Sequence, residues 1–279
     1  MRTLVITGGT QGIGRGLALH HLSAGDRVVA VGSSQAKGAS LRAEAQRLGA
    51  ADRFTFRQAD LSSAAATADL AAALRQEYPQ LDALVLGAFR FEQRRRETAE
   101  GLERTFALYV LSRFLLAEGL RPALERALRP VVVNLCGTGG IRAGRLHWDD
   151  LQLTRRYRPF DATMQGARAN DLLGAAFAAE QPGSAVRYVL YNPLFVDTGL
   201  ADGMRQPARA AVKAAARLFA TPVARAVPPI VALLDEPPPE PLSAWRVRRR
   251  VDVTGPAFDP GEARRLTEVL RRLAAAPRS

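Results

Sequence analysis

The sequence predicts an α/β fold, a doubly wound parallel sheet of about seven strands in one domain spanning residues 1–279. Three observations carry that expectation. Short β-branched runs alternate with longer helical stretches along the whole chain, which is the trace that βαβ units leave in a sequence. The first such run passes through a glycine-rich turn straight into a helical pattern. Nothing repeats internally, and an apolar fraction of 47% over 279 residues is enough for one large core.

The expected strands are Thr3 to Thr7, Arg27 to Val31, Arg53 to Arg57, Ala83 to Leu86, Val131 to Leu135 and Ala185 to Tyr191. Helical patterns fill the intervals at Leu41 to Leu48, Leu70 to Gln76, Leu102 to Leu128 and Ala167 to Ala179. Right-handed crossovers place such helices on both faces of the sheet. The run Pro237-Pro238-Pro239-Glu240-Pro241 excludes helix and central strand and is expected as an exposed loop. After it, a C-terminal unit over 243–274 reads as a last strand, Trp245 to Val253, and an amphipathic helix, Glu262 to Leu273.

A formal charge of +12 raises the question of an anionic partner. Only Lys37 and Lys213 are lysines; the arginines are spread among alanines in the manner of compositional bias. The densest clusters, Arg94 to Arg96 and Arg246 with Arg248 to Arg250, lack interleaved aromatics and read as solvated faces. Neither nucleic acid nor a membrane is expected as a partner. The single Cys136 permits no internal disulfide and no zinc cluster, so no metal is expected. With no leader-like stretch ahead of Leu4, a soluble protein of the cytoplasm is the expectation.

The first strand ends in Thr7-Gly8-Gly9-Thr10-Gln11-Gly12-Ile13-Gly14, within a glycine-rich loop over 7–16 that opens a helix. Glycines there let the backbone approach a pyrophosphate, and the helix N-terminus offers it free N–H groups. The spacing Thr-Gly-x-x-x-Gly-Ile-Gly resembles that of the short-chain dehydrogenase/reductase superfamily, which implies a Rossmann-type fold and a nicotinamide dinucleotide. Asp60-Leu61 is similar to the family's adenine-contacting pair, and Asn192-Pro193 with Val196-Asp197-Thr198 to its nicotinamide segment, with Leu194 where glycine is usual. Gly87 follows the fourth strand at a further cofactor position. At the end of the second strand Gly32-Ser33-Ser34 replaces the acidic ribose reader, which removes the bar to a 2′-phosphate. Ser33, Ser34 and Lys37 are candidate phosphate donors, so NADP(H) is expected over NAD(H); helix capping is the plain alternative for the serines.

The resemblance also exposes a loss. The superfamily's chemistry rests on an Asn-Ser-Tyr-Lys tetrad in which lysine lowers the tyrosine pKa and tyrosine donates the proton. Alignment through Gln165 and Ala169-Asn170 places Tyr109, Gly137, Thr163 and Ala167 at the four positions. Neither lysine has a tyrosine four residues before it; Tyr109-x-x-x-Arg113 is the nearest substitute. Thr138, His147, Tyr157, Thr163 and Gln165 are the remaining candidates to line a substrate cleft, whose segments are expected at about 136–165 and 193–210. The pattern resembles the tetrad-lacking ketoreductases of angucyclinone assembly and implies an NADPH-dependent reduction of an aromatic ketone, the proton coming from a neighbouring substrate phenol. Homo-oligomers are compatible with the sequence. A non-catalytic NADP(H)-binding sensor and a redox-neutral cyclase on the same fold are the competing readings.

Overall fold

A computed structural model describes residues 1–138, 144–196 and 220–275. Eight strands form one sheet in the order β3-β2-β1-β4-β5-β6-β7-β8. They are β1 (Thr3–Thr7), β2 (Arg27–Gly32), β3 (Phe54–Gln58), β4 (Ala83–Leu86), β5 (Val131–Leu135), β6 (Arg187–Asn192), β7 (Leu242–Arg246) and β8 (Arg249–Val251). All neighbours run parallel except β7 and β8. The expected single strand at Trp245 to Val253 is therefore wrong: Val247 takes a φ of 56° and turns the chain back into an antiparallel hairpin. That edge accounts for the strand beyond the expected seven.

The helices are α1 (Gly12–Ser23), α2 (Gln35–Arg47), α3 (Ala64–Glu77), α5 (Pro159–Glu180), α6 (Val223–Asp235) and α7 (Pro260–Ala275). Between α3 and α5, α4 runs from Arg104–Phe106 through a π-helical turn at Ala107–Leu111 into Ser112–Leu124. The helices α2 and α3 begin earlier than their apolar stretches, because Ser34 and Ser63 cap them by accepting the N–H groups of Lys37 and Ala66. Residues Pro228 and Pro229 mask α6 in the sequence, since both remove helical hydrogen bonds. Its apolar face survives them: Val223 and Val227 pack where Gly16 of α1 carries no side chain.

Alternation along each strand divides the core into two layers. Val5, Leu84, Val132 and Leu190 face Leu74, Leu116 and Leu120 of α3 and α4. Leu4, Ile6, Val85 and Val189 face Leu17 and Ile230 of α1 and α6. A third cluster seats Leu266 and Leu270 of α7 between Phe106 and Val110 of α4 and Leu172 and Leu173 of α5. No helix among the described residues is long and apolar enough to cross a membrane.

At the N-terminal end of the strands, Arg2 donates to Asp26 at 3.1 Å, to Asp235 at 2.7 Å and to the Leu234 carbonyl at 3.1 Å. His21, fully buried, shares Asp26 at 3.0 Å. Burial pushes the His21 pKa down against the opposing bond to Asp26. Burial raises Asp26, but the Arg2 amide, His21 and the Arg2 charge outweigh it and hold the carboxyl below its ordinary value. Both shifts have the same sign of consequence. Below a pH of about 6.5 the unfolded chain binds a proton at His21 that the folded chain resists, and at lower pH Asp26 likewise protonates more readily unfolded. Stability is thus expected to fall with falling pH from about 6.5, and His21→Gln to flatten the first part of that decline in urea unfolding measured between pH 7 and 5.

Candidate functional site

The C-terminal ends of the parallel strands open into a crevice, where β1 and β4 leave the sheet in opposite directions. The Thr7 hydroxyl holds the two exits together: it donates to Val85 O at 3.2 Å and accepts from the Gly87 and Ala88 amides at 3.0 and 3.2 Å. Gly8 turns at a φ of 66°, and a Cβ there would meet Gly87 O at 2.9 Å. A Cβ on Gly14 would stand 2.4 Å from Gly8 O. The first turn of α1 receives no hydrogen bond from the Gln11 side chain at its cap, in contrast to α2 and α3. A glycine-lined backbone cradle at a helix N-terminus fits a pyrophosphate.

Around that cradle, Lys37 Nζ bonds the Gln11 side chain, and the Ser34 oxygen accepts the Lys37 amide at 3.4 Å. The capping alternative therefore holds for the Ser34 acceptor, while its proton remains available to donate. Gln58 holds the Ser33 carbonyl at 3.3 Å. Burial raises the Asp60 pKa, but the Ser62 hydroxyl and amide and the charges of Arg104 and Arg90 outweigh it. Leu61 is a core side chain, so only its main chain faces the crevice end of β3. On the other side, Asn192 donates to Thr138 O and accepts from the Leu194 amide, both at 2.9 Å, tying the exits of β5 and β6. Leu194 carries a φ of 59°, a left-handed conformation that costs a non-glycine residue roughly 1–2 kcal/mol. Val196 is buried and pairs with Thr221. Thr198 and most of the expected segment 193–210 lie outside the described residues.

Of the four positions aligned with the tetrad, Tyr109, Gly137 and Ala167 are packed closely together. A Cβ on Gly137 would meet the Ala167 Cβ at 2.9 Å, and one on Gly166 would meet the Tyr109 ring at 2.4 Å. Tyr109 fills this space: its ring stands edge-on to Phe89 with centroids 4.8 Å apart, and the Gly137 amide donates toward its hydroxyl. Burial raises its pKa, as expected of a packed phenol. Thr163 donates its hydroxyl to Pro159 O at 2.9 Å, one turn back in α5. Cys136 is buried, with its thiol pushed up to about 12 by burial, which makes it inert as a nucleophile.

Three cleft candidates are taken up by contacts within the protein. Gln165 is buried, accepting the His147 amide at 3.0 Å and donating to Leu151 O at 2.9 Å, so it fastens the 147–151 loop. Tyr157 donates its hydroxyl to Glu92 O at 2.9 Å. Thr138 is fully buried against Asp171, and Thr138 Oγ1 and Asp171 Oδ1 both lack a well-formed hydrogen bond among the described residues. Burial pushes the Asp171 carboxyl up to about 7. Periodicity missed Asp171 because it sits in an apolar face of α5; spacing four residues beyond Ala167 is the signal that would have found it. No group of three or more metal-ligating side chains occurs among the described residues.

Comparison with known proteins agrees with this geometry. The profile of the family described as short chain dehydrogenase matches residues 2–148. Dehydrogenase/reductase SDR family member 12 of Homo sapiens is 31% identical over 208 residues, 74% of this chain; the chain spans 63% of that relative's length. The provisionally named daunorubicin C-13 ketoreductase of Streptomyces sp. (strain C5) is 30% identical over 270 residues, 96% of this chain and 90% of that protein. Among solved structures, an uncharacterised protein of Mycobacterium paratuberculosis superposes with a TM-score of 0.71 at 22% identity, covering 98% and 93% of the two chains. A short-chain dehydrogenase from Sphingobium yanoikuyae in complex with NADPH gives 0.65 at 19% identity, covering 100% and 97%.

Because the Gly14 Cβ would collide with fixed backbone, Gly14→Ala is expected to weaken dinucleotide binding about tenfold or more in calorimetric titration, with far-ultraviolet dichroism unchanged. From its glycine cradle, its strand order and its matched profile, the chain belongs to the short-chain dehydrogenase family.

Proposed function

We propose that the protein is an NADPH-dependent ketoreductase for an aromatic polyketide ketone of angucyclinone-like shape, in which a phenol beside the carbonyl supplies the proton. The observation that carries this reading is the pairing of a dinucleotide cradle with tetrad-aligned positions that offer no free acid. Thr163 bonds its own helix, Tyr109 is buried against Phe89, and Gly137 and Ala167 carry no titratable group. Decay of an unused enzyme is expected to erode the cradle along with the tetrad.

The rim supports an aromatic substrate. Of the seven large apolar side chains that the described residues expose, four, Phe89, Phe160, Leu194 and Phe195, stand at the C-terminal end of the sheet. Exposed apolar surface concentrated around a crevice is the mark of a binding groove. The 30% identical relative named as a ketoreductase supports the reaction class.

The cofactor residues are assigned from the cradle outward. Thr7 to Gly14 hold the pyrophosphate, Ser33, Ser34 and Lys37 the 2′-phosphate, Asp60 and Leu61 the adenine end, and Gly87, Pro193, Val196 and Thr198 the nicotinamide end. Solved relatives in complex with NADP or NADPH support the phosphorylated form. Bound there, NADPH supplies the hydride. The chain's own contribution is to orient the ketone and exclude water, while the substrate phenol passes its proton to the carbonyl oxygen and recovers one from solvent. A positioned acid is worth ~10²–10⁴ in rate, and a phenol titrating near ~10 replaces the tyrosine in kind.

Calorimetric titration is expected to give tighter binding of NADPH than of NADH; a preference for NADH would overturn the cofactor assignment. Turnover of an aryl ketone with a free neighbouring hydroxyl is expected to exceed that of its O-methyl ether by about a hundredfold or more, both being bound. Equal turnover would remove the substrate phenol from the mechanism.

A further inference from the structure

Arg113 is a buried cation that the reaction as described leaves unused. It lies one turn beyond Tyr109 in α4, 2% exposed, beneath the crevice floor. Its guanidinium donates to Leu135 O at 2.8 Å, to Ala88 O at 3.1 Å and to the Asn134 side-chain oxygen. Those two carbonyls belong to the exits of β5 and β4, the loops that form the floor. The guanidinium carbon stands 4.5 Å from the centroid of the Tyr109 ring, whose hydroxyl meets the Gly137 amide at the vacated serine position.

No carboxylate among the described residues pairs with this charge. The surroundings of Arg113 are neutral at ordinary pH: Tyr109 on its own helix, Cys136 after β5 and Tyr188 on β6. Glu118 and Glu180 line the same narrow pocket, but both are bound by Arg121, at 2.8 and 3.7 Å. Asp171 also acts on Cys136, opposite in sign to Arg113, and burial pushes its carboxyl up to about 7. Burying a cation without a counter-ion is costly, and the oxygens that Arg113 bonds would accept equally well from a neutral amide. The charge itself is therefore what needs explaining.

We propose that Arg113 is the fixed positive charge of this site, a positioning residue that acts through the crevice floor to stabilise the negative charge developing on a bound hydroxyaryl ketone. It takes the electrostatic part of the role that Ala167 leaves empty, from a different helix and from below. The inference rests on the ketoreductase reading of the preceding section and deepens it: the substrate supplies the proton, and the protein supplies the field that makes the phenol give it up. Because guanidinium stays ionised throughout the working range, the field of Arg113 itself does not vary with pH.

The probe is 8-hydroxy-1-tetralone, titrated by its phenolate absorbance in the ternary complex with NADP⁺. A unit charge about 10 Å away in a medium of effective dielectric about 20 shifts an acid dissociation roughly tenfold. The phenol midpoint is expected about one pH unit lower in the wild-type complex than in solution. In Arg113→Met most of that shift is expected to vanish, and in Arg113→Lys, which keeps the charge and loses the planar fork, it is expected to remain. A full shift in Arg113→Met, no shift in the wild type, or loss of the shift in a folded Arg113→Lys overturns the inference and leaves the ketoreductase reading standing. Should Arg113→Met fail to fold, the Arg113→Lys result decides. Failure of the wild-type complex to bind the probe at all overturns the aryl-ketone reading itself, and the role of Arg113 with it.

Discussion

The contact on which the site depends is the Thr7 hydroxyl lodged between the exits of β1 and β4. A parallel sheet opens a crevice wherever two neighbouring strands send their connections to opposite faces, but the crevice binds a ligand only if its lips are held at a fixed separation. One side chain does this with one donated and two accepted hydrogen bonds. It fixes Gly87 under Gly8, and the glycines of the turn then follow, since backbone stands where their side chains would be. Asn192 performs the same service between β5 and β6. The floor of the crevice is thus knitted together by short polar side chains that bond main chain, with Arg113 bonding it from beneath.

Much of the fold was legible because its signals are local. Six strands lie within two residues of where their sequence predicts them, since each is a short apolar run bounded by polar or glycine residues. The starts of α2 and α3 precede their apolar patterns because capping by Ser34 and Ser63 lies outside those patterns. The helix α6 was hidden by Pro228 and Pro229, and the β7–β8 hairpin by the absence of glycine at Val247. Both are cases of tertiary packing overriding propensity.

The candidate site divides along the same line. The glycine loop is legible because its chemistry resides in backbone geometry that only glycine permits. The lack of a Tyr-x-x-x-Lys pair is legible because the absence of a residue pattern needs no coordinates. What the sequence concealed is what fills the gap: Tyr109 folded across Gly166, Gln165 turned away into the 147–151 loop, Asp171 buried against Thr138, and Arg113 without a carboxylate. Each depends on which side of a buried helix faces which neighbour, and composition is silent on that.

The close contact of Gly137 with Ala167 also bears on how such a site changes over generations. A serine introduced at Gly137 meets the Ala167 methyl. Any larger residue at Gly166 meets the Tyr109 ring. Substitution at Gly137 or Gly166 is thus opposed by packing before it can add any chemistry, so selection acting one substitution at a time meets a barrier at both positions. The filled floor works as a ratchet: while the Ala167 methyl stands there, a side chain at Gly137 is admitted only if its neighbour gives way first.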